Sequence, residues 1–204
     1  MKSIFLDTET TGLRPGQIAQ LTYIVEEDKQ LVGIKNYFFQ VDSMDIEAEK
    51  VHGFSREKLE ILSEGFTFGD LSEEIQEDFY EGTIIAHNIG FDKKFLEAEF
   101  QRIFELPGYS KEFCTMEYFR NIVKIPSRNG IGYKNPKLEE VVNYYNIDKD
   151  LILDRTKMLF GCEDIGFHDA RYDVMAMYMS CLKSKNRETV CSPFWNEPLE
   201  IFNK

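Results

Sequence analysis

Residues 5–12, FLDTETTG, join a short apolar run to two acidic residues and a glycine turn. The apolar run is typical of a buried strand, and Gly12 marks the turn that follows it. Because side chains alternate along an extended chain, Asp7 and Glu9 point to the same side. Two neighbouring carboxylates repel each other, so this strand end needs either a shared proton or a bound metal ion.

The rest of the chain alternates strand and helix patterns in an order typical of an α/β protein. Three strands joined by short turns are predicted at 2–7, 18–26 and 31–41, and two more at 82–88 and 111–114. Helices are predicted at 55–62, 70–80, 90–104, 115–123, 136–146, 154–160 and 168–183. A strand meander followed by alternating strands and helices predicts a mixed sheet with helices on its faces.

Length and composition favour one domain with a short tail. The chain has 204 residues, of which 43% are hydrophobic, enough for a sizeable core. Residues 1–183 are predicted to form the domain. Residues 184–204 break the pattern and are predicted to form a C-terminal tail of unassigned role that packs through Phe194 and Trp195.

The cysteines and the apolar runs predict a cytoplasmic protein. No apolar run approaches the length of a membrane span, and the start of the chain does not resemble a secretory signal. The cysteines are scattered without a CxxC pair, which favours reduced thiols over a disulfide framework or a zinc site. These residues are Cys114, Cys162, Cys181 and Cys191.

Acidic residues recur at three places where a strand ends or a helix begins. The segments are FLDTE (5–9), AHNIGFD (86–92) and HDARYD (168–173). Each has a simple structural explanation when taken singly: Asp92 as a helix-dipole partner, Asp169 as an N-cap, Asp173 as a surface charge and His87 as a core histidine. If the strands that carry Asp7 and His87 are neighbours, however, all three segments meet at one edge of the sheet.

Such a meeting of carboxylates predicts a metal centre. Four carboxylates in one place do not ionise together without cations. Oxygen ligands without cysteine favour Mg²⁺ or Mn²⁺. Two such ions about 4 Å apart are the arrangement that hydrolyses phosphodiesters.

The three segments resemble the motifs of the DEDDh family of 3′-to-5′ exonucleases, also called DnaQ-like. This family includes the proofreading subunit of the bacterial replicative DNA polymerase and RNase T. The resemblance covers about residues 3–182, and the segments VHGFS (51–55) and KLEEVVNYYNI (137–147) match further parts of the family pattern. It implies an RNase H-like fold with a central five-stranded mixed sheet flanked by helices.

The resemblance also implies a role for each motif residue. Asp7 would bridge two ions, Glu9 and Asp173 would complete the site of the ion that holds the attacking water, and Asp92 would serve the second ion through waters. His168, five residues before Asp173, would be the general base, since imidazole has a pKa near neutrality.

Residues beside the terminal nucleotide follow from the same resemblance. Backbone groups of the turn at Thr10, Thr11 and Gly12 would contact the terminal 3′ hydroxyl, and Leu13 would press on the last base. The further predicted contacts are His52, Asn88 and Phe91. For His52 and Phe91, packing in the core is the alternative.

Residues 120–137 are the one sustained basic stretch in a chain whose net charge is −12. That net charge argues against non-specific nucleic-acid binding, but the distribution of charge matters more than its sum. The stretch contains no acid, and Lys124, Arg128 and Lys134 are predicted to bind substrate phosphates. A solvated loop is the alternative.

The sequence therefore favours a metal-dependent exonuclease that acts on single-stranded or frayed DNA 3′ ends. An exoribonuclease that trims RNA 3′ ends is the alternative, and no residue distinguishes the two. A non-catalytic module is disfavoured, because a binding module has no use for four converging acids. No polymerase pattern is present, so a proofreading role would require a DNA polymerase in trans.

Overall fold

Five strands form one mixed sheet, which confirms the predicted α/β class and five-stranded sheet. The computed structural model of the chain describes residues 1–165 and 168–203. The strand order is β3-β2-β1-β4-β5, with antiparallel pairing among β1, β2 and β3 and parallel pairing of β1 with β4 and of β4 with β5. The strands are β1 (Lys2–Thr10), β2 (Ile18–Glu27), β3 (Gln30–Phe38), β4 (Thr83–Ala86) and β5 (Lys111–Cys114).

Helices cover both faces of this sheet. They are α1 (Ile46–His52), α2 (Arg56–Leu62), α3 (Phe68–Phe79), α4 (Ile89–Arg102), α5 (Thr115–Val123), α6 (Leu138–Tyr144), α7 (Lys149–Phe160) and α8 (Ala170–Ser184). On one face, Ile4 and Leu6 of β1 pack with α3 and α4. On the other face, Phe5 packs with the group formed by α5 to α8, its ring 5.0 Å from that of Tyr178.

Strand β1 is longer than the apolar run predicted. It continues to Thr10 because β2 lies beside it and pairs Asp7 with Thr22 and Glu9 with Gln20. A register shift follows between Glu9 and Thr10, and such bulges are frequent next to active sites. The two carboxylates therefore lie within a strand, on the face that α8 covers.

Several predicted boundaries are wrong. Helix α1 was not predicted, although Asp45 precedes it and the left-handed Gly53 ends it. Helix α7 begins at Lys149 instead of 154, since the Asp148 side chain caps it by accepting from the backbone N–H of Asp150. Helix α6 begins after the predicted start at Pro136, and β3 and β4 are shorter than predicted. Local capping and sheet pairing, not apolar pattern, set these ends.

The C-terminal residues form a two-stranded hairpin that packs on the domain. Strands β6 (Thr189–Val190) and β7 (Leu199–Glu200) pair antiparallel, and Val190 and Ile201 are fully buried. Trp195 packs against the core as predicted. Phe194 does not pack as predicted, because 76% of its surface is exposed.

Arginine side chains tie this hairpin to the domain. Arg187 bonds both oxygens of Glu26 at 3.0 and 2.8 Å, and Arg155 donates to the carbonyl oxygens of Glu200 and Ile201 at 2.9 and 3.0 Å. The buried Glu26 also accepts from the Tyr178 hydroxyl at 2.9 Å. The hairpin is therefore held by hydrogen bonds as well as by apolar contact.

The cysteines are free thiols. Cys114, Cys162, Cys181 and Cys191 form no disulfide with one another. Among the residues that the structure describes, no helix has the length and apolar character that crossing a bilayer requires.

Candidate active site

Three of the predicted metal carboxylates meet in the structure. Oxygen atoms of Asp7, Glu9 and Asp173 lie within 4.8 Å of one another. The alternation of β1 supplies the first two, and the first turn of α8, which packs against β1, supplies the third. The cluster joins parts of the chain more than 160 residues apart in sequence, as the motif order predicts.

Each carboxylate of this cluster resists ionisation. Burial raises the pKa of Glu9 to about 9, and the charges of Asp173, Asp169 and Asp92 add to this effect. Burial also raises the pKa of Asp173 to about 6, although the charge of His168 acts in the opposite direction. The pKa of Asp7 is raised well above its usual value by burial and by the charges of Asp92, Asp173 and Glu9. The protein therefore holds acids where their negative charge is unfavourable.

Asp92 lies beside this cluster but is not one of its three members. It is buried, and its Oδ1 accepts hydrogen bonds from the backbone N–H and the hydroxyl of Thr8 at 3.1 and 2.9 Å. Burial raises its pKa to about 7, and the bonds from Thr8 oppose that rise. Its charge still acts on Asp7 and Glu9. This position is consistent with the predicted role of a ligand that acts through waters.

The chemistry of the cluster fits a divalent cation. All three ligand groups are carboxylates, and the oxygens already converge within the distance that one ion spans. The pKa values of all three stay raised although the charge of His168 acts on Asp173, so the described positive side chains do not offset the cost of burying these acids. Asp7, Glu9 and Asp173 are thus the residues that could hold Mg²⁺ or Mn²⁺.

His168 is exposed and lies directly before the N-cap of α8. Its φ is 53°, in the left-handed region that non-glycine residues seldom adopt. The histidine is close enough for its charge to act on Asp173. The structure therefore places the predicted base at the rim of the carboxylate cluster, with its ring accessible to solvent.

A cleft of about 940 Å³ opens beside the cluster, and several predicted substrate residues line it. These residues are Thr10, Gly12, Leu13, His52 and Phe91. Helix α1 and the residues before it form the opposite wall, with Met44, Ile46 and Val51. That wall was missed because α1 was not predicted. Its signal in the sequence was the Asp45 and Gly53 pair that bounds the helix.

The turn after β1 is locked against the start of α1. The backbone N–H of Asp45 donates to the carbonyl oxygen of Thr11 at 2.9 Å. A Cβ atom on Gly12 would lie 2.2 Å from Asp45 Oδ2, so no larger residue fits there without movement. The Thr10 hydroxyl donates to the Gly12 carbonyl oxygen, and the Thr11 hydroxyl accepts from the Gln17 N–H. The turn is thus closely packed on Asp45, and its predicted contact with a terminal 3′ hydroxyl stays a prediction.

His52 has partners for both ring nitrogens inside the protein. Its Nδ1 accepts from the Phe54 N–H at 3.0 Å, so its Nε2 carries the proton and donates to the Thr10 carbonyl oxygen at 3.2 Å. Burial lowers its pKa. His52 thus holds the turn at Thr10. Because both ring nitrogens are used, His52 has no free nitrogen to offer to the cleft that it lines.

Other predicted contacts occupy different surroundings. Leu13 is 89% exposed and free to meet a base. Phe91 packs on Phe95 with ring centroids 5.0 Å apart while lining the cleft. Asn88 is exposed, with φ 83°, at the N-cap of α4, and is not among the residues that line the cleft.

The basic stretch begins on α5 and ends near the active-site edge of the sheet. The carbonyl oxygen of Pro136 accepts from His87 Nε2, 3.0 Å away, and His87 directly follows β4. Lys124 and Arg128 are exposed. Lys134 is paired with Glu140 at 2.5 Å, so its charge is partly neutralised, which the sequence of the stretch alone did not predict.

Comparison with known proteins agrees with this geometry. The family model described as "Exonuclease" (RNase_T) matches residues 4–179. A protein of Rickettsia prowazekii (strain Madrid E) named DNA polymerase III subunit epsilon is 36% identical over 105 residues, which cover 48% of this chain and 44% of the relative. A homologue of the same name from Rickettsia conorii is 35% identical over the same shares. The chain thus spans less than half the length of the curated relatives it matches.

Solved structures share the fold. E. coli Exonuclease I in complex with a dA16 oligonucleotide has a TM-score of 0.68 at 18% identity, over 92% of this chain and 41% of that one. Exonuclease X in complex with 5′ overhanging duplex DNA has a TM-score of 0.56 at 18% identity, over 90% and 92% of the two chains. Identities this low establish the architecture alone.

Proposed function

The chain belongs to the exonuclease family, as a DnaQ-like member of the DEDDh type, and on this premise we propose that it removes nucleotides from the 3′ ends of single-stranded or frayed DNA. The observation that carries the proposal is the meeting of Asp7, Glu9 and Asp173 beside an open cleft. Unbalanced buried acids destabilise a fold, so their presence favours a catalytic purpose.

Two divalent cations, Mg²⁺ or Mn²⁺, are the proposed cofactors. Asp7, Glu9 and Asp173 would hold them directly, and Asp92 would contribute through waters. When bound, such ions would supply stabilisation for charge on the phosphate and on the departing oxygen.

The chain's own residues position the substrate and move the proton. The turn at Thr10 and Gly12 offers backbone groups to the terminal 3′ hydroxyl, while Leu13 and Phe91 contact the last base. His168 accepts a proton from the attacking water on an imidazole nitrogen. The water oxygen bonds to phosphorus as the bond from phosphorus to the 3′ oxygen breaks. The departing oxygen takes up a proton from solvent, and the product is a nucleoside 5′-monophosphate.

DNA is the proposed substrate, because the relatives and the solved complexes are named for DNA. The curated relatives are named as subunits of a DNA polymerase, and the Exonuclease I and Exonuclease X structures described above were solved in complex with DNA. The same names suggest a DNA polymerase that acts in trans as a partner, and the free thiols are consistent with action in the cytoplasm.

The polarity of degradation tests the proposal. The protein is incubated with 5′-labelled single strands of DNA and RNA of equal sequence, in Mg²⁺ or Mn²⁺, and products are resolved on a gel. A ladder that shortens one nucleotide at a time from the 3′ end of DNA is expected. Immediate release of a labelled mononucleotide, or no product with either strand, would refute the proposal. Faster loss of RNA would favour the exoribonuclease.

A further inference from the structure

Arg171 reaches the chain on both sides of His168. Its Nη2 donates to the carbonyl oxygen of Asp164 at 2.9 Å and to Oδ2 of Asp169 at 2.6 Å, while its Nε donates to Oδ1 of Asp169 at 2.9 Å. The guanidinium also lies over the ring of Phe38, 5.7 Å from the centroid. One side chain thus joins the residues that precede the proposed base to the residue that follows it.

Asp169 accepts hydrogen bonds from a residue of the sheet as well as from its own helix. The residue is only 2% exposed, and its Oδ1 accepts from Gln20 Nε2 at 3.0 Å and caps α8 by accepting from the Arg171 N–H. Hydrogen bonds from Arg171 and Gln20 outweigh burial and lower its pKa. Asp169 is therefore an ionised, fully partnered carboxylate, unlike its neighbour Asp173.

Gln20 fixes the start of α8 to the strand beside the carboxylates. It is fully buried on β2, directly opposite Glu9 of β1. Its Oε1 accepts from the Ala170 N–H at 3.2 Å, and its Nε2 also donates to Asn36 Oδ1 at 2.8 Å. Because donors and acceptor of this amide are all used, its orientation has no freedom.

We infer that Gln20, Asp169 and Arg171, here called the Asp169 cluster, are positioning residues that hold His168 at the rim of the carboxylate site. This inference rests on the proposed function. His168 is exposed and has a left-handed φ, so its own side chain does not fix its place. The contacts that fix its place are the N-cap at Asp169 and the hydrogen bonds of Arg171 to Asp164 and Asp169. Asp173 lies one turn into α8 and is not among the hydrogen-bond partners of the Arg171 side chain.

A double-mutant cycle with His168 tests this. The variants are Arg171→Leu, His168→Ala and the two combined, assayed for kcat and KM on short single-stranded DNA. Arg171→Leu is expected to lower kcat about 10- to 100-fold with little change in KM, because small misplacement of a catalytic group costs about this much. In the His168→Ala background it should cost less than about twofold, since residues that act as a unit are not additive.

Two further variants guard against a trivial loss of folding. Arg155 also donates to carbonyl oxygens, but to those of Glu200, Ile201 and Asn203 in the C-terminal segment, so Arg155→Leu should keep kcat within about twofold of wild type. Arg171→Lys keeps the charge but cannot make both sets of bonds, and should fold and lose part of kcat.

The outcomes separate the inference from the proposed function. Equal loss of kcat from Arg171→Leu with and without His168 would overturn the inference, as would wild-type kcat in a folded Arg171→Lys protein together with an unfolded Arg171→Leu. An inactive wild type would overturn the proposed function itself, and the inference with it.

Discussion

At the scale of single residues, two aspartates one helical turn apart have opposite chemistry. Asp169 is paired with Arg171 and its pKa is lowered, whereas Asp173 forms no ion pair with the residues that the structure describes and burial raises its pKa to about 6. The motifs predicted which acids meet, because spacing and order carry that information. They did not predict Gln20 as a partner of Asp169, since the contact spans 149 positions. A glutamine inside a strand that is buried along all but its last residue was the available signal.

The pKa shifts predict that the metal-free protein loses stability as pH rises. In the folded state the pKa of Glu9 is about 9, that of Asp92 about 7 and that of Asp173 about 6. Unfolded carboxyls titrate near 4. Between about pH 4 and pH 9 the folded state therefore binds more protons than the unfolded state, and the free energy of unfolding falls with pH.

Thermal unfolding with EDTA or Mn²⁺ at pH 5 and pH 8.5 measures this effect. Mn²⁺ should raise Tm more at pH 8.5, because it binds the ionised carboxylates. Glu9→Gln should flatten the pH dependence, whereas Glu60→Gln, the same change at an exposed position, should not. If Tm depends on pH in the same way in all three metal-free proteins, ionisation of the buried carboxylates does not lower stability and the prediction is wrong.

His168→Ala should lower kcat about 10²- to 10⁴-fold, the usual effect of losing a general base. Raising the pH should recover part of the rate, since hydroxide can replace the base. The rise in Tm caused by Mn²⁺ should be retained, because His168 is not among the three clustered carboxylates. An unchanged kcat and pH profile would reduce His168 to a residue that only begins the last helix.

At the scale of secondary-structure elements, contacts between residues distant in sequence set bounds that the local sequence pattern did not predict. Strand β1 extends through polar residues because β2 pairs with them, and α1 is too short and too polar to show a helical period. Helices with a long apolar stripe, such as α4 and α8, were predicted close to their observed bounds. The ion pair of Lys134 with Glu140 was not predicted, because Glu140 lies beyond the basic stretch in sequence.

This ion pair divides the basic stretch into two kinds of cation. Lys124 and Arg128 are exposed, whereas Lys134 is paired. Each phosphate contact to a single strand adds about 0.7 to the slope of log affinity against log salt. The double change Lys124→Ala and Arg128→Ala should raise KM and flatten the salt dependence while kcat on short substrates stays nearly intact. Lys134→Ala should do much less.

KM for a single strand, measured at several salt concentrations in the three proteins, checks this. The exposed Lys29→Ala and Lys185→Ala together serve as the matched control for a loss of two charges. If the wild-type slope and that of the Lys124 and Arg128 variant coincide, the stretch is only a solvated connection, and another surface holds the substrate.

At the scale of the whole molecule, the order of the strands creates the site. Placing β1 between β2 and β4 brings the first motif beside the second, and the packing of α8 across β1 adds the third. The motif order predicted this convergence. The C-terminal hairpin was left unassigned, because its strands are two residues long and its burial comes from long-range contacts with β2 and α7.

The most direct test of the account compares wild type with Asp7→Asn and Asp173→Asn on 5′-labelled single-stranded DNA in Mg²⁺, with Asp154→Asn as an exposed control. We expect a 3′-to-5′ ladder from wild type and the control, abolished by EDTA. Both cluster variants should be slower by more than about 10³-fold, since metal ions supply several kcal/mol of transition-state stabilisation. Their metal-free Tm should equal or exceed that of wild type, because like-charge repulsion is relieved. A folded Asp7→Asn protein that keeps near wild-type activity in Mg²⁺ would contradict the account.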